Sequence, residues 1–298
     1  MITTDGYRKS LRRINPLIGK IKLNKITPLI LDSMYQKLKV GTKVARVGYH
    51  SMYNYYKVIN LMFNQAIWWE LLDKNPNLKA QKPKREKSER KFYDLKQVEK
   101  LIRALDHESI KYKTLIILAL DSGTRRGKIC ALRWSDIDFE NRTMKITKSL
   151  KVLYGVIDEE RAKTESSVRE IMLSESTINL LKEYKEWQDY YIRFYKGKWI
   201  NSDRVFTSQN GDYMYPGTCD QIIRKIVKKY NLDHICFHEL RHTSASISIN
   251  KGVNSKAISQ RLGHSDISIT MEIYTHVFDT SKKDSADKID EMLKGIKI

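Results

Sequence analysis

A chain of 298 residues, 41% of them apolar, is long enough for two domains with a buried core each, so a boundary is expected. Its 55 Lys plus Arg outweigh 35 Asp plus Glu by +20, which calls for a polyanion or an acidic membrane surface as partner. The apolar run "TLIILAL" at 114–120 is far short of the roughly 18 residues that a membrane span needs, and "MITTDGYRKSLRR" lacks the apolar core of a secretory signal, which leaves nucleic acid as the polyanion. Cys130, Cys219 and Cys236 form no Cys-x-x-Cys pair, so they point to neither a disulfide framework nor a zinc site and fit a reducing cytoplasm.

Residues 1–80 predict a helical domain, and residues 1–90 carry 19 Lys plus Arg against 6 Asp plus Glu, +13 of the total charge. Thr27-Pro28 is a helix start, with a hydroxyl to cap free amides and a proline at the first helical position. Tyr55, Val58, Met62, Ala66 and Trp69 recur at spacings of three and four, predicting an amphipathic helix over 51–72 whose aromatics serve a core. The composition turns polar, charged and proline-containing over 73–94, which reads as exposed connection; the basic linker proper is placed at 81–93 and a second domain at 94–298.

Asp94-Leu-Lys-Gln97 has the spacing of a capping box and opens that domain. A buried helix near 111–121, a turn at Ser122-Gly123 and a helix through "KICALRW" follow. Short β-branched runs, "TMKIT", "KVLYGVI" and "REIML", predict a small antiparallel sheet over about 143–173. Helices are expected again at 174–196, 217–230, 239–251 and 254–261.

Four stretches could carry chemistry. In "DSGTRRGKICALRW" a glycine turn precedes Arg125 and Arg126, which alone would read as solvated arginines. In "CFHELRHTSAS" His238 and Arg241 share one face at a helix start, where the helix dipole also favours an anion. Arginine can give a phosphate two parallel hydrogen bonds and imidazole can move a proton. The alternative is that His238 caps the helix and Arg241 pairs with a surface carboxylate. His264 follows a glycine that ends a helix, and ten residues on comes Tyr274, either a core aromatic or a nucleophile needing cations to gather charge on phosphate. Lys163, in "RAKTESSVRE", is a hairpin lysine that could protonate a leaving oxygen. His238 and His242 have a zinc-compatible spacing without an obvious third ligand, so charge stabilisation falls to arginines rather than a metal.

Taken in order, "SGTRRGKICALRW", "KTESSVREIML", "HELRH", "LGHSDISIT" and "YTHV" resemble the tyrosine recombinase family, specifically the integrases of phages and conjugative elements. The resemblance implies a mainly α fold with a small antiparallel β-sheet in the C-terminal domain, in which a helical core-binding domain and a mixed α+β catalytic domain form a C-shaped clamp on DNA. It implies that Arg125 and Arg241 hold the non-bridging oxygens of the scissile phosphate and that Lys163 is the general acid for the 5′-hydroxyl. His238 would handle the tyrosine proton, His264 would hydrogen-bond the phosphate, and Tyr274 would form a 3′-phosphotyrosyl link. No metal, cofactor or ATP is implied. The implied partners are double-stranded DNA carrying attachment-site core sequences, a homotetramer of this chain on that DNA, and an excisionase or host DNA-bending protein as accessories.

Two departures stand out. The position three after the first arginine is usually acidic in this family and here is Lys128; Asp136 is one carboxylate that could compensate. Many members carry an arm-site domain ahead of the core-binding helices, whereas this chain begins at those helices, as a short form or a trimmed piece would. The tail at 284–296 is amphipathic enough to dock on a neighbouring protomer. Two other functions compete: a DNA-binding protein that has lost catalysis would form no covalent adduct, and a topoisomerase-like enzyme would relax circles without exchanging duplexes.

Overall fold

The computed structural model describes residues 4–41, 46–84, 91–153, 155–161, 168–195, 197–200, 203–263 and 271. The chain forms two compact units, Met1–Glu89 and Arg90–Ile298.

The first unit is helical: α1 (Thr4–Ile18), α2 (Pro28–Val40) and α3 (Tyr49–Trp68). Helix α2 starts on the expected signal, since the Ile30 amide donates to Thr27 Oγ1, and it ends at Gly41 in the left-handed region. Its core joins Ile14 and Ile18 of α1 to Leu31, Met34 and Leu38 of α2 and to Ile59 and Phe63 of α3. On α3 the anticipated apolar face holds for Val58 and Ala66, which are buried, while Trp69 lies past the helix end and is 59% exposed.

The stretch that read as exposed connection is not all exposed. Asn75 Nδ2 donates to Asn60 Oδ1 at 2.9 Å and Asn64 Oδ1 at 2.6 Å, and Tyr35 Oη donates to Asn77 Oδ1 at 2.7 Å. These asparagines look like loop composition but supply the buried polar partners that α2 and α3 require. At its far end Tyr93 is buried in the second unit, where its amide donates to Thr243 Oγ1 at 3.0 Å and its hydroxyl to the Asp233 carbonyl.

The second unit opens with α4 (Leu95–Leu105), whose Asp94–Gln97 capping box is fully formed. Next come α5 (Ile110–Ser122), α6 (Arg126–Cys130) and, among the described residues, five strands: β1 (Ile137–Asp138), β2 (Thr143–Ile146), β3 (Lys148–Leu153), β4 (Val156–Arg161) and β5 (Arg169–Met172). Helices α7 (Glu175–Phe194), α8 (Pro216–Lys229), α9 (Phe237–Asn250) and α10 (Ser255–Leu262) follow. Where one sheet was expected, the described residues form two antiparallel ones, ordered β1-β2-β5 and β3-β4. In "KVLYGVI" β3 and β4 meet, pairing Leu153 with Val156 next to Gly155 at φ +85°. Helix α5, with Leu115, Ile116 and Leu118 fully buried, lies at the centre and packs on α7 and α9.

The predicted helix through "KICALRW" is cut short at Cys130. Beyond it the Val205 amide donates to the Leu132 carbonyl at 3.0 Å and the Trp134 amide to the Asp203 carbonyl at 2.8 Å, so a distant segment takes the backbone groups a longer helix would need. Nearby, Glu159 of β4 accepts from Tyr213 Oη at 2.8 Å, Lys148 Nζ and Arg133 Nη2 at 3.1 Å, and Arg204 Nη2 at 3.2 Å. Burial opposes ionisation of that carboxylate, but the donors outweigh it and lower its pKa to about 2.

Candidate active site

Arg125, His238 and Arg241 converge where the α5–α6 turn meets the start of α9. Helix α5 ends at Gly123, whose φ of +59° turns the chain so that Arg125 becomes the residue before α6. A side chain at Gly123 would also collide with Leu262, the Cβ falling 2.2 Å from its Cδ2. Arg241 lies one turn into α9 and is 2% exposed. Its Nη1 donates to the Gly123 carbonyl and to the Leu262 carbonyl, both at 2.7 Å, tying the Arg125 loop, α9 and the end of α10 together. Its Nη2 is buried and has no hydrogen-bond partner among the described residues.

Both simpler readings of this helix start are thereby set aside. The cap is made by Glu239, which accepts the Cys236 amide at 2.6 Å, rather than by His238, and Arg241 faces backbone carbonyls rather than a surface carboxylate. Lys163, His264 and Tyr274, like the tail at 284–296, lie outside the described residues. Gly263 does end α10 in the left-handed region, as expected of the residue before His264.

The electrostatics suit an anion. Burial and then the charges of Arg125 and Arg169 push the pKa of Arg241 down to about 9. Burial followed by Arg169, Arg125 and Arg241 brings Lys128 to about 8. The usually acidic position is thus a cation crowded by three others. Asp136 is committed elsewhere, accepting the Arg133 amide at 3.0 Å in its own turn. Arg126 is not part of the open charge, since it pairs with Asp220.

His238 keeps an exposed face but is hemmed in by protein on its inner side. This desolvation, reinforced by Arg241, Arg125 and Arg126, lowers its pKa from the usual imidazole value and so favours the neutral form, which can accept a proton. If it is the base, the single-turnover cleavage rate should be flat above about pH 6.5 and fall on acidification only below it, and His238→Gln should remove that acid limb. An acid limb centred above pH 6.5 would assign the proton transfer to another group. The same shift makes a small contribution to acid sensitivity, because the unfolded chain takes up this proton at a higher pH than the folded one.

Arg169 was not singled out from sequence, where it is one more charged residue in an alternating strand. Its Nε donates to the Arg261 carbonyl at 2.9 Å, while Nη1 and Nη2 are buried with no hydrogen-bond partner among the described residues. His238 and His242 pack edge to face with ring centroids 5.2 Å apart. Among the described residues no group of three His, Cys, Asp or Glu could hold a metal, and no helix is long and apolar enough to cross a membrane.

The phage integrase family model matches residues 91–281. A XerC-like tyrosine recombinase of Caldanaerobacter subterraneus subsp. tengcongensis is 26% identical, over 97% of this chain and 76% of that protein. The ICEBs1 integrase of Bacillus subtilis is also 26% identical, over 82% of this chain and 66% of its own length. Among solved structures, the Tn1549 transposon integrase in complex with transposon right-end DNA superposes with a TM-score of 0.76 at 23% identity, covering 94% of this chain and 91% of that one.

Proposed function

The chain belongs to the phage integrase family, and from that premise we propose that it is a site-specific DNA recombinase that integrates or excises a mobile element through a 3′-phosphotyrosyl intermediate. In this reading the Oη–H bond of Tyr274 breaks with its proton passing to His238, an Oη–P bond forms, and the P–O5′ bond breaks as the 5′-oxygen takes a proton from Lys163. Arg125 and Arg241 hold the non-bridging oxygens, and His264 donates a further hydrogen bond to them. The phosphodiester energy is kept in the tyrosyl ester, so rejoining needs no ATP, and the cations supply the charge stabilisation that a metal would otherwise give.

The observation that carries the proposal is the tie between Arg241 and the carbonyl of Gly123. It brings two motifs 118 residues apart into one cation-rich site and leaves one guanidinium nitrogen buried with no hydrogen-bond partner among the described residues. The basic first unit fits the core-binding role, gripping phosphates with an affinity that falls steeply as salt rises. Because one phenol makes one covalent link, exchange of both strands between two duplexes requires four sites, hence a homotetramer on DNA with excisionase or DNA-bending accessories setting direction.

The test uses a pool of nicked duplexes of random sequence, from which covalently trapped members are recovered after denaturation. Wild-type protein is expected to trap a defined subset, and Tyr274→Phe none. Failure of the wild type to trap any member would sink the enzyme assignment, and undiminished trapping by Tyr274→Phe would move the nucleophile elsewhere.

A further inference from the structure

Arg169 repeats the pattern of Arg241. In each, one guanidinium nitrogen is anchored to the backbone at the end of α10, Nε of Arg169 on the Arg261 carbonyl and Nη1 of Arg241 on the Leu262 carbonyl. In each, the remaining terminal nitrogens are buried without a partner among the described residues. The side chain also lies against Gly263, where an added Cβ would sit 2.4 Å from Nη1.

No carboxylate described on the surrounding elements neutralises it. Asp121 is held by Arg261 and the Ser174 amide, Asp220 by Arg126 and the Phe237 amide, and Glu239 by the Cys236 amide. The groups that act on Arg169 are burial and then Arg125, which together bring its pKa to about 10. An unpaired buried charge is costly to keep in a fold, and here it stands beside two arginines already committed to an anion.

Resting on the recombinase reading of this site, we propose that Arg169 is a third guanidinium ligand of the DNA phosphate held by Arg125 and Arg241, supplied by strand β5 rather than by a helix start. It gives its two terminal nitrogens to the charged oxygens, whose negative charge relieves the crowding of the cations.

The test takes a duplex trapped by the wild type and asks whether the effect of Arg169 depends on the charge of that one linkage. In a Tyr274→Phe background, binding is measured on the natural duplex and on one with a neutral methylphosphonate at the cleaved position. Arg169→Gln is expected to lose affinity by about 10-fold or more on the natural duplex and nothing on the neutral one. With Tyr274 intact it is expected to slow cleavage by roughly 10²-fold. Equal losses on both duplexes, or none on either, would overturn the proposal and leave Arg169 as a strut for α10. Should Arg169→Gln melt much below the wild type, Arg169→Lys serves in its place, keeping charge at one point and hence a weaker dependence on the linkage. If the wild type traps no duplex at all, it is the underlying reading that fails.

Discussion

Arg241→Lys is expected to lose at least 10²-fold in single-turnover trapping, and Arg241→Ala about 10³-fold or more, the range seen when a guanidinium that gathers phosphoryl charge is removed. Lysine is not a mild change here. One planar fork reaches the Gly123 carbonyl and the Leu262 carbonyl through Nη1 and still presents Nη2, whereas an ammonium on a flexible stem cannot do all three at once. Binding should respond differently from cleavage. One phosphate contact of many is removed, so the slope of log affinity against log salt should fall by only about 0.9. For Arg241→Ala the melting temperature should change little, because two freed carbonyls are offset by loss of a buried charge that no described carboxylate neutralises. Near-normal trapping by Arg241→Lys would show that Arg241 positions the loop and leaves the phosphate to other groups.

The second large effect concerns stability away from the chemistry. Glu159→Gln should destabilise the second unit by about 3 kcal/mol, or roughly 6–12 °C in melting temperature. The glutamine keeps the shape but not the charge, and Arg204, 3% exposed and stacked 3.4 Å from the Tyr213 ring centroid, is left as a buried cation without its counter-ion. The wild type should show the matching pH dependence. With the folded pKa near 2 against 4.5 for a free glutamate, the contribution is complete above about pH 4.5 and is lost progressively as pH falls toward 2. Thermal melts of both proteins at pH 7 and pH 3 test this directly; a gap of equal size at both would mean that the loss does not come from the charge of Glu159, and no gap at either would mean that Arg204 finds water when Glu159 is neutralised.

What the sequence disclosed and what it hid follow from the range of the forces involved. Signals that act within four residues were readable: the Thr27 cap, the Asp94–Gln97 box, the left-handed stop at Gly263. Helix α1 was passed over because only Ser10, Ile14 and Ile18 are buried along a strongly charged segment, too narrow a stripe to register as a face. The early end of α6 was invisible because the competitor for its backbone sits some seventy residues away, at Asp203 and Val205. The motif arginines could be named from their order along the chain. Arg169 could not, since its significance comes from what fails to neutralise it in three dimensions, and alternation along a strand carries no trace of that.

The bridge made by Arg241 also links the candidate site to the folding of the second unit. The group proposed to draw charge from a DNA backbone is in place only when a turn 118 residues upstream and a helix end 21 residues downstream have both reached it. A chain unfolded at either end of that bridge keeps its positive charge but not the arrangement of Arg125, His238 and Arg241. Assembly of the candidate site is then tied to completion of the second unit's fold, because its parts come from both sides of Arg241 in the chain.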